Sequence, residues 1–263
     1  MDVRDLVRGH YGSAGLSEAV LGALSSAGVD VEHLTASDLY PVDHLHAGGA
    51  AATEHVLSRL GVAPGTRLLD VGSGLGGPAR MAATSGATVT GIDLVEEFVD
   101  AANDLTARVG LQERARFLAT PGETLPFEDG SFDAAVMVHV GMNVPDKDAV
   151  FAEVHRVLAP GSPFALYEQM STGAGDPPYP LPWAQDARSS FLETVEDYTR
   201  RLGAAGFQVE EVEDRTEAIT GNRQGAALSP VDVFGEAFAE RVGNHVTATR
   251  AGLLRSVLVL ASA

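Results

Sequence analysis

The 263-residue chain contains no cysteine, which excludes disulfide bonds, thiolate metal sites and a cysteine nucleophile. Cysteine-free chains fit a reducing compartment, and we expect a cytoplasmic protein. The sequence also lacks any apolar run long enough to span a bilayer, and its first residues carry acids rather than the apolar core of a signal peptide. We therefore expect no membrane partner.

Positive charge is the second shortage. Lysine and arginine together number 18, with Lys147 the single lysine, against 36 aspartates and glutamates, so the formal net charge is −18. An acidic surface repels phosphate at long range, and we expect a small-molecule partner rather than nucleic acid. The hydrophobic content of 45% is enough for a full core at this length, which indicates one domain with an accessory element and leaves a homo-oligomer possible.

Glycine, by contrast, is concentrated directly after a short apolar run, Leu68-Leu69. An acid, Asp70, comes next, and four glycines then fall within six residues before a helix-forming segment. Glycines allow backbone conformations that a Cβ forbids, and the free N–H groups of the new helix face whatever the turn binds. The candidate ligand contacts in this turn are Asp70, Gly72, Ser73, Gly74 and Gly76.

A second acid, Asp93, ends the next predicted strand and is followed by Leu94. An acid about 20 residues beyond a glycine turn has the spacing of one that binds ribose hydroxyls. The glycines also satisfy the G-x-G-x-x-G dinucleotide pattern. The ligand of such a turn is either a dinucleotide or a cationic adenosyl compound such as S-adenosylmethionine (SAM). Asp70 favours the second, because a carboxylate repels a pyrophosphate but attracts a ligand with an ammonium and a sulfonium.

Three segments together carry a family resemblance: the turn 70–76, the segment Gly91-Ile92-Asp93-Leu94, and the block 125–133 with sequence LPFEDGSFD. They resemble class I SAM-dependent methyltransferases. The resemblance implies SAM as cofactor, S-adenosylhomocysteine as product, and an α/β fold. In this family the acid after the third strand meets the adenine amino group, but residues 120–122 here read Thr-Pro-Gly. Either Glu123 takes that role or the N–H of Gly122 reads the adenine alone.

Segments 39–49, 138–147 and 173–184 extend the resemblance to a subfamily that includes sarcosine/dimethylglycine methyltransferases and many actinobacterial small-molecule methyltransferases. It implies that His46, His139 and Met142 lie where methyl donor and acceptor meet, and that a loop with Tyr179 and Trp183 covers the acceptor. His139 is also a candidate cofactor contact. Tyr11 is a weaker candidate for the lid over the acceptor.

Several candidate residues have alternative interpretations. His46 acts either at the acceptor site or as a turn histidine bonded to backbone. Glu168, which we expect to close the fifth strand and face the crevice, is either a base whose pKa burial has raised or a hydrogen-bonded carboxylate that only shapes the pocket. His44 and His46 suggest a metal pair, but no third ligand follows at a suitable spacing, so we expect no metal. Asn143 is either part of the site or the N-cap of the next helix.

The order of predicted elements favours a Rossmann-like, mostly parallel sheet of seven strands, the last antiparallel, with helices on both faces. We expect an N-terminal helical lid in residues 1–50 and the SAM-binding methyltransferase domain in residues 51–263. Among the predicted elements are helices Val31 to Leu39 and Pro230 to Ala251, and a fourth strand Asp133 to Val140.

The function expected from the resemblance is SAM-dependent methyl transfer to a nitrogen, carbon or oxygen nucleophile of a small molecule, in amine or specialised metabolism. One alternative is carbon methylation of a prenyl or aromatic substrate with Glu168 as base. Alternatives from other classes are an NAD-dependent oxidoreductase and a catalytically silent SAM-binding protein.

Overall fold

The computed structural model describes residues 15–220 and 228–263. Their strands form one seven-stranded sheet. Its strands are β1 Arg67–Val71, β2 Thr88–Asp93, β3 Ala115–Ala119, β4 Ala134–Val138, β5 Pro163–Ser171, β6 Gln208–Asp214 and β7 Leu254–Ser262.

The sheet has the order β3-β2-β1-β4-β5-β7-β6. The first five strands pair in parallel, and β7 lies antiparallel between β5 and β6. The predicted Rossmann-like sheet with an antiparallel last strand is therefore confirmed. The chain runs outward from β1 to β3 and then returns to β4 beside β1, and this reversal opens a crevice at the carboxyl ends of β1 and β4, where such sheets bind ligands.

Helices cover both faces of the sheet. They are α1 Leu16–Ser26, α2 Ala36–Asp43, α3 Gly49–Arg59, α4 Gly77–Thr84, α5 Glu96–Arg108, α6 Lys147–Val157, α7 Val195–Ala204, α8 Thr216–Thr220, α9 Pro230–Phe234 and α10 Glu236–Arg250. No helix in the described ranges combines the length and hydropathy needed to cross a membrane.

Each face of the sheet carries its own apolar core, because successive side chains of a strand point to opposite faces. Leu69 packs with Ile92 and Met137 on one face, whereas its neighbour Leu68 packs with Val89 on the other. A parallel strand covered on both faces reads as a continuous apolar run. This is why the central strands could be found from the sequence.

Four predicted boundaries are wrong. The helix expected over Val31 to Leu39 begins at Ala36 and continues past Pro41 to Asp43. Thr35 and Asp38 cap its start reciprocally, so the first turn is fixed by side chains rather than by the apolar pattern. The single helix expected over Pro230 to Ala251 is two helices, because Gly235, with φ +80°, breaks it.

The other two boundaries lie beside the crevice. β4 ends at Val138 rather than at Val140, because His139 has φ +55° and turns the chain out of the sheet. β5 continues to Ser171, so Glu168 is an interior strand residue and not the closing one. A nine-residue antiparallel register with β7 extends the strand, and the sequence of β5 alone does not contain that information.

Candidate active site

The glycine turn is fixed against the end of β2. The N–H groups of Gly72 and Ser73 both donate to the carbonyl of Ile92, at 2.8 and 2.9 Å. Gly72 has φ +73°, and a Cβ there would lie 2.3 Å from the Val140 side chain. A side chain is excluded at this position by both conformation and space.

Gly74 differs from Gly72 because a Cβ at this position would meet nothing within 4 Å. Its φ is +51°, and its N–H donates to Asp93 Oδ2 at 2.8 Å. The other oxygen of Asp93 accepts from the N–H of Val95 at 2.9 Å. One carboxylate therefore fixes both the glycine turn and the start of α5, and its remaining lone pairs are available to a ligand.

Asp70 is buried beside this pair, with 1% of its surface exposed. Its Oδ2 has no hydrogen-bond partner in the described part of the chain. Burial, and next the charge of Asp93, raise the pKa of Asp70 to about 7. A buried carboxylate with one oxygen left without a partner is stabilised by a cationic group bound next to it.

These residues line a cavity of about 180 Å³ at the carboxyl ends of β1 and β2. Its lining includes all but one of the predicted cofactor contacts, the exception being Gly76: Asp70, Gly72, Ser73, Gly74, Asp93, Leu94, Gly122, Glu123 and His139. Gly76, with φ +84°, faces Phe117 and Arg80 instead, and a Cβ there would lie 2.6 Å from the Phe117 ring. We call this space the glycine-turn cavity.

A second cavity of about 1010 Å³ lies beyond it. Leu45, His46 and His139 line both cavities, so the two spaces meet at these three side chains. The histidine rings are 5.5 Å apart between centroids. Met142 and Trp183 line this second space, which we call the outer cavity.

His46 is held through both ring nitrogens. Nδ1 lies 3.2 Å from the carbonyl of Ala47, which can only accept, so Nδ1 carries the proton and Nε2 accepts from the Thr53 hydroxyl at 2.9 Å. Burial, and next the neighbouring His44, lower the pKa of His46 to about 3. His46 therefore combines the two predicted interpretations: it is a backbone-bonded turn residue, and it lines the place where the cavities meet.

His139 follows β4 directly, and its N–H donates to the Tyr167 carbonyl at 2.8 Å. Positive φ is uncommon for a residue other than glycine, and such conformations cluster at functional sites. Burial lowers the pKa of His139 well below its ordinary value, so its imidazole is neutral at pH 7. His139 Nε2 lies 3.5 Å from the Gln169 side-chain nitrogen, which in turn contacts Ser256 Oγ.

Glu168 lines neither cavity. It is fully buried, and its Oε1 accepts from the N–H groups of Val140 and Gly141, at 2.9 and 2.8 Å. Burial raises its pKa to about 8, although these N–H groups and the Lys147 ammonium act in the opposite direction. Of the two interpretations of Glu168, these contacts favour a carboxylate that shapes the pocket by fixing the turn after β4.

The remaining predicted site residues differ in whether they line a cavity. Trp183 is 3% exposed, and its Nε1 donates to Ser190 Oγ at 3.0 Å, so the indole is anchored while one part lines the outer cavity. Tyr179 packs on the Trp183 cluster but does not line either cavity. Asn143 lies in a short 3-10 turn and is not the N-cap of α6, because Asp146 caps that helix by accepting from Ala149 N. Tyr11 lies outside the described residues.

A buried ion pair that the sequence analysis missed joins the N-terminal helices to the glycine-turn helix. Asp43, the last residue of α2, accepts from Arg80 Nη2 of α4 at 2.8 Å and lies 2.6 Å from His44 Nδ1. Both charged side chains are fully buried. Arg80 also donates to Thr106 Oγ1, at 2.9 Å, and contacts the carbonyl of Leu75. The pair is separated by 37 positions in the sequence, and no local pattern links its members.

Across residues 15–220 and 228–263, no group of three or more His, Asp or Glu side chains is arranged to hold a metal ion. The glycine-turn cavity instead fits the charges of SAM. It offers a buried carboxylate oxygen without a partner at Asp70, a second carboxylate at Asp93, and open space over the backbone of Gly74. These features match an ammonium, sugar hydroxyls and a ligand that approaches the main chain closely.

Comparison with known proteins agrees with this geometry. A family model described as a methyltransferase domain matches residues 69–166. Sterol 24-C-methyltransferase ERG6B of Gibberella zeae is 38% identical over 128 residues, 48% of this chain and 34% of that protein. Methyltransferase GfsG of Streptomyces halstedii is 32% identical over 182 residues, 67% of this chain and 65% of that protein. The matched part of the chain thus spans between about a third and two thirds of the length of these relatives.

Among solved structures, that of the [4+2]-cyclase SpnF is 26% identical, with a TM-score of 0.65, and the superposition covers 93% of this chain and 92% of that one. The match over residues 69–166 begins within β1 and contains the glycine turn, β2 and β4, so it covers the elements that form the crevice. Together, the sheet order, the turn with its two acids and these matches identify the chain as a member of the class I SAM-dependent methyltransferase family.

Proposed function

We propose that this protein binds SAM in the glycine-turn cavity and transfers its methyl group to a small molecule in the outer cavity. The observation that carries the proposal is the buried carboxylate of Asp70, 1% exposed, whose Oδ2 has no hydrogen-bond partner among the described residues and which lies in the wall of that cavity. A dinucleotide would bring a pyrophosphate toward this acid, whereas SAM brings an ammonium and a sulfonium. The family match supports the same ligand and does not favour the NAD-dependent alternative.

When bound, SAM supplies a methyl group that is already activated by its positive sulfur. The protein therefore has to position the acceptor, exclude water, and accept a proton where the nucleophile carries one. Asp93 fixes the turn and has lone pairs left for sugar hydroxyls. We propose that Gly122 and Glu123, which line the same cavity, contact the adenine.

His139 is the residue that we propose to meet the acceptor. It lines both cavities, it is neutral, and its backbone conformation directs it out of the strand. A neutral imidazole can orient an acceptor hydroxyl or amine by a hydrogen bond and can take its proton. His46 and Met142 complete the wall on either side. Carbon methylation with Glu168 as base is not carried forward, because Glu168 reaches neither cavity.

Calorimetry with SAM, S-adenosylhomocysteine and NADH tests the cofactor. We expect both sulfur compounds to bind and NADH to give no heat. Asp93→Ala should weaken S-adenosylhomocysteine by at least about tenfold, the usual worth of a hydrogen bond to a charged group. Asp133→Ala is the matched control, because Asp133 lies at the opposite end of the sheet beside Arg67. Equal affinity of Asp93→Ala and the parent protein would remove the basis of the proposal.

Turnover separates methyl transfer from its rival. The likeness to the [4+2]-cyclase SpnF favours a second candidate, a SAM-binding protein whose reaction leaves the methyl group in place. Transfer of label from methyl-labelled SAM to an acceptor supports the first candidate. Binding of SAM together with a chemically changed but unlabelled acceptor supports the second. The expected cytoplasmic location, the absence of nucleic-acid partners and a homo-oligomer stay predictions.

A further inference from the structure

The outer cavity is large for an acceptor of the sarcosine or dimethylglycine type. Its volume is about 1010 Å³, more than five times that of the glycine-turn cavity. Cavities of roughly 300–1000 Å³ hold drug-sized ligands, so a small amino acid would leave most of this one filled with water.

Its wall is largely apolar. Large apolar side chains from five parts of the chain line it: Leu45, Met142, Trp183, Ile219, Phe234 and Phe238. Met142 and Trp183 belong to one buried cluster, and both line the cavity together with His139 and His46. An apolar wall of this extent gains most from an acceptor that is itself apolar, because binding then removes both surfaces from water.

The charges on the wall are also informative. In a chain with 36 acids, the described residues that line the outer cavity include no aspartate or glutamate, while Arg215 and Arg241 both contribute to it. Arg215 Nη1 is 2.8 Å from Glu213, and Arg241 Nη2 is 2.8 Å from Gln185, so both guanidiniums are held in place. A cationic amine would find no countercharge on these walls and would lie near two positive side chains.

Resting on the proposed function, we infer that the acceptor is a bulky, largely apolar molecule without positive charge, of the size of a terpenoid, steroid or polyketide, rather than a small amine. Such a molecule would place its reacting atom between His46 and His139 and its apolar body against Trp183 and Phe234. The acidic charge of the whole chain then serves solubility rather than attraction of a cationic substrate.

Trp183 provides the measurement, because it is the single tryptophan of the chain and lines the outer cavity. Its fluorescence is followed in protein saturated with S-adenosylhomocysteine while four probes are added. Pregnenolone and dimethylglycine differ in size and polarity, whereas dodecanoate and dodecylamine carry opposite charges on alkyl chains of the same length. We expect pregnenolone and dodecanoate to bind at least about tenfold more tightly than dimethylglycine and dodecylamine, a difference of about 1.4 kcal/mol.

Two matched variants locate the binding. Ala237 and Ala239 are both exposed on α10, but only Ala237 lines the outer cavity. Ala237→Phe should weaken pregnenolone by about tenfold because it narrows the cavity, and Ala239→Phe should bind it like the parent protein. Equal effects of the two substitutions would contradict the assignment.

The outcomes keep the two proposals apart. S-adenosylhomocysteine binding is measured by calorimetry on the same samples, and its absence rejects the proposed function. Normal S-adenosylhomocysteine binding with dimethylglycine or dodecylamine as the tightest probe, or with no probe changing the fluorescence, rejects the bulky apolar acceptor alone.

Discussion

Asp70 lies beside Asp93, and burial raises its pKa to about 7. An acid with a raised pKa holds a proton in the folded protein, between about pH 4 and pH 7, that the unfolded chain has already lost. Its contribution to stability therefore falls as pH rises through this window. A bound ammonium or sulfonium favours the charged form, so ligand binding and proton release are linked at this residue.

We expect the affinity for SAM to rise by up to about tenfold between pH 6 and pH 7, with a proton released on binding near pH 6. Calorimetry in two buffers of different ionisation enthalpy measures that proton. Asp70→Asn should bind SAM more weakly and release no proton from this site. Asp133→Asn is the control, because the Arg67 hydrogen bond lowers the pKa of Asp133. Proton release that survives in Asp70→Asn would contradict the assignment to this carboxylate.

His139 permits a second prediction at the same scale. His139→Asn keeps a residue that tolerates φ near +55° but removes the imidazole. We expect kcat to fall by about 10²-fold or more if the acceptor proton is taken here, and S-adenosylhomocysteine affinity to change little. The pH dependence of kcat should flatten in the variant. His33→Asn, at an exposed turn beside Asp30, should behave like the parent protein, and an unchanged kcat in His139→Asn would assign the proton to another group.

Asp70 and Asp93 could be found from the sequence because glycines, an acid and a strand end occur at fixed spacing. Asp43 and Arg80 could not, because their contact depends on how α2 packs on α4. Glu168 shows the limit most clearly. The sequence predicted that Glu168 is buried in the fifth strand. It did not predict that the side chain binds the N–H groups of Val140 and Gly141, because this contact depends on the unusual conformation of His139.

At the scale of elements, the glycine turn is the best test of the cofactor site. Gly74→Ala and Gly161→Ala make the same substitution at two positive-φ glycines whose Cβ would meet nothing within 4 Å. Only Gly74 lines the glycine-turn cavity. Both variants should lose about 1 kcal/mol of stability from backbone strain, but Gly74→Ala alone should weaken S-adenosylhomocysteine, by about tenfold or more. Equal affinities would show that no ligand approaches the turn backbone.

Element boundaries were less predictable than element types. A strand was predicted at each of the seven positions in the sheet, since strands that pack in a core have a recognisable pattern of apolar residues. It failed at Pro41, which lies inside α2 in spite of the usual rule, and at Gly235, where one helical pattern hides a break. In both regions the chain packs around the outer cavity, so tertiary contacts override the local signal.

At the scale of the whole molecule, the reversal of strand order between β1 and β4 places every part of the site at one edge of the sheet. Residues from α2 to α10 contribute to the outer cavity, so its shape depends on segments far apart in the sequence. Of the predicted lid, residues 1–50, the structure describes residues 15–50, and we propose that this described part covers the site. The packing of Leu24, Leu39 and Val42 on Leu75 and Phe98 supports this proposal.

Glu168 makes the stability of the whole molecule depend on pH. Burial raises the pKa of Glu168 to about 8, so the folded protein holds a proton there from about pH 4.5 to pH 8 that the unfolded chain has lost. By linkage, stability falls as pH rises through that range and levels off above it.

Glu168→Gln keeps an oxygen for the N–H groups of Val140 and Gly141 but removes the titration. Between pH 5 and pH 8 the parent protein should lose about 1 kcal/mol per pH unit relative to this variant, as measured by urea unfolding. Glu153→Gln is the control, because the Arg156 hydrogen bond lowers the pKa of Glu153 and leaves it charged throughout the range. Parallel curves for the parent and Glu168→Gln would show that Glu168 is ionised in the folded protein, with its charge balanced by the two backbone N–H groups and Lys147.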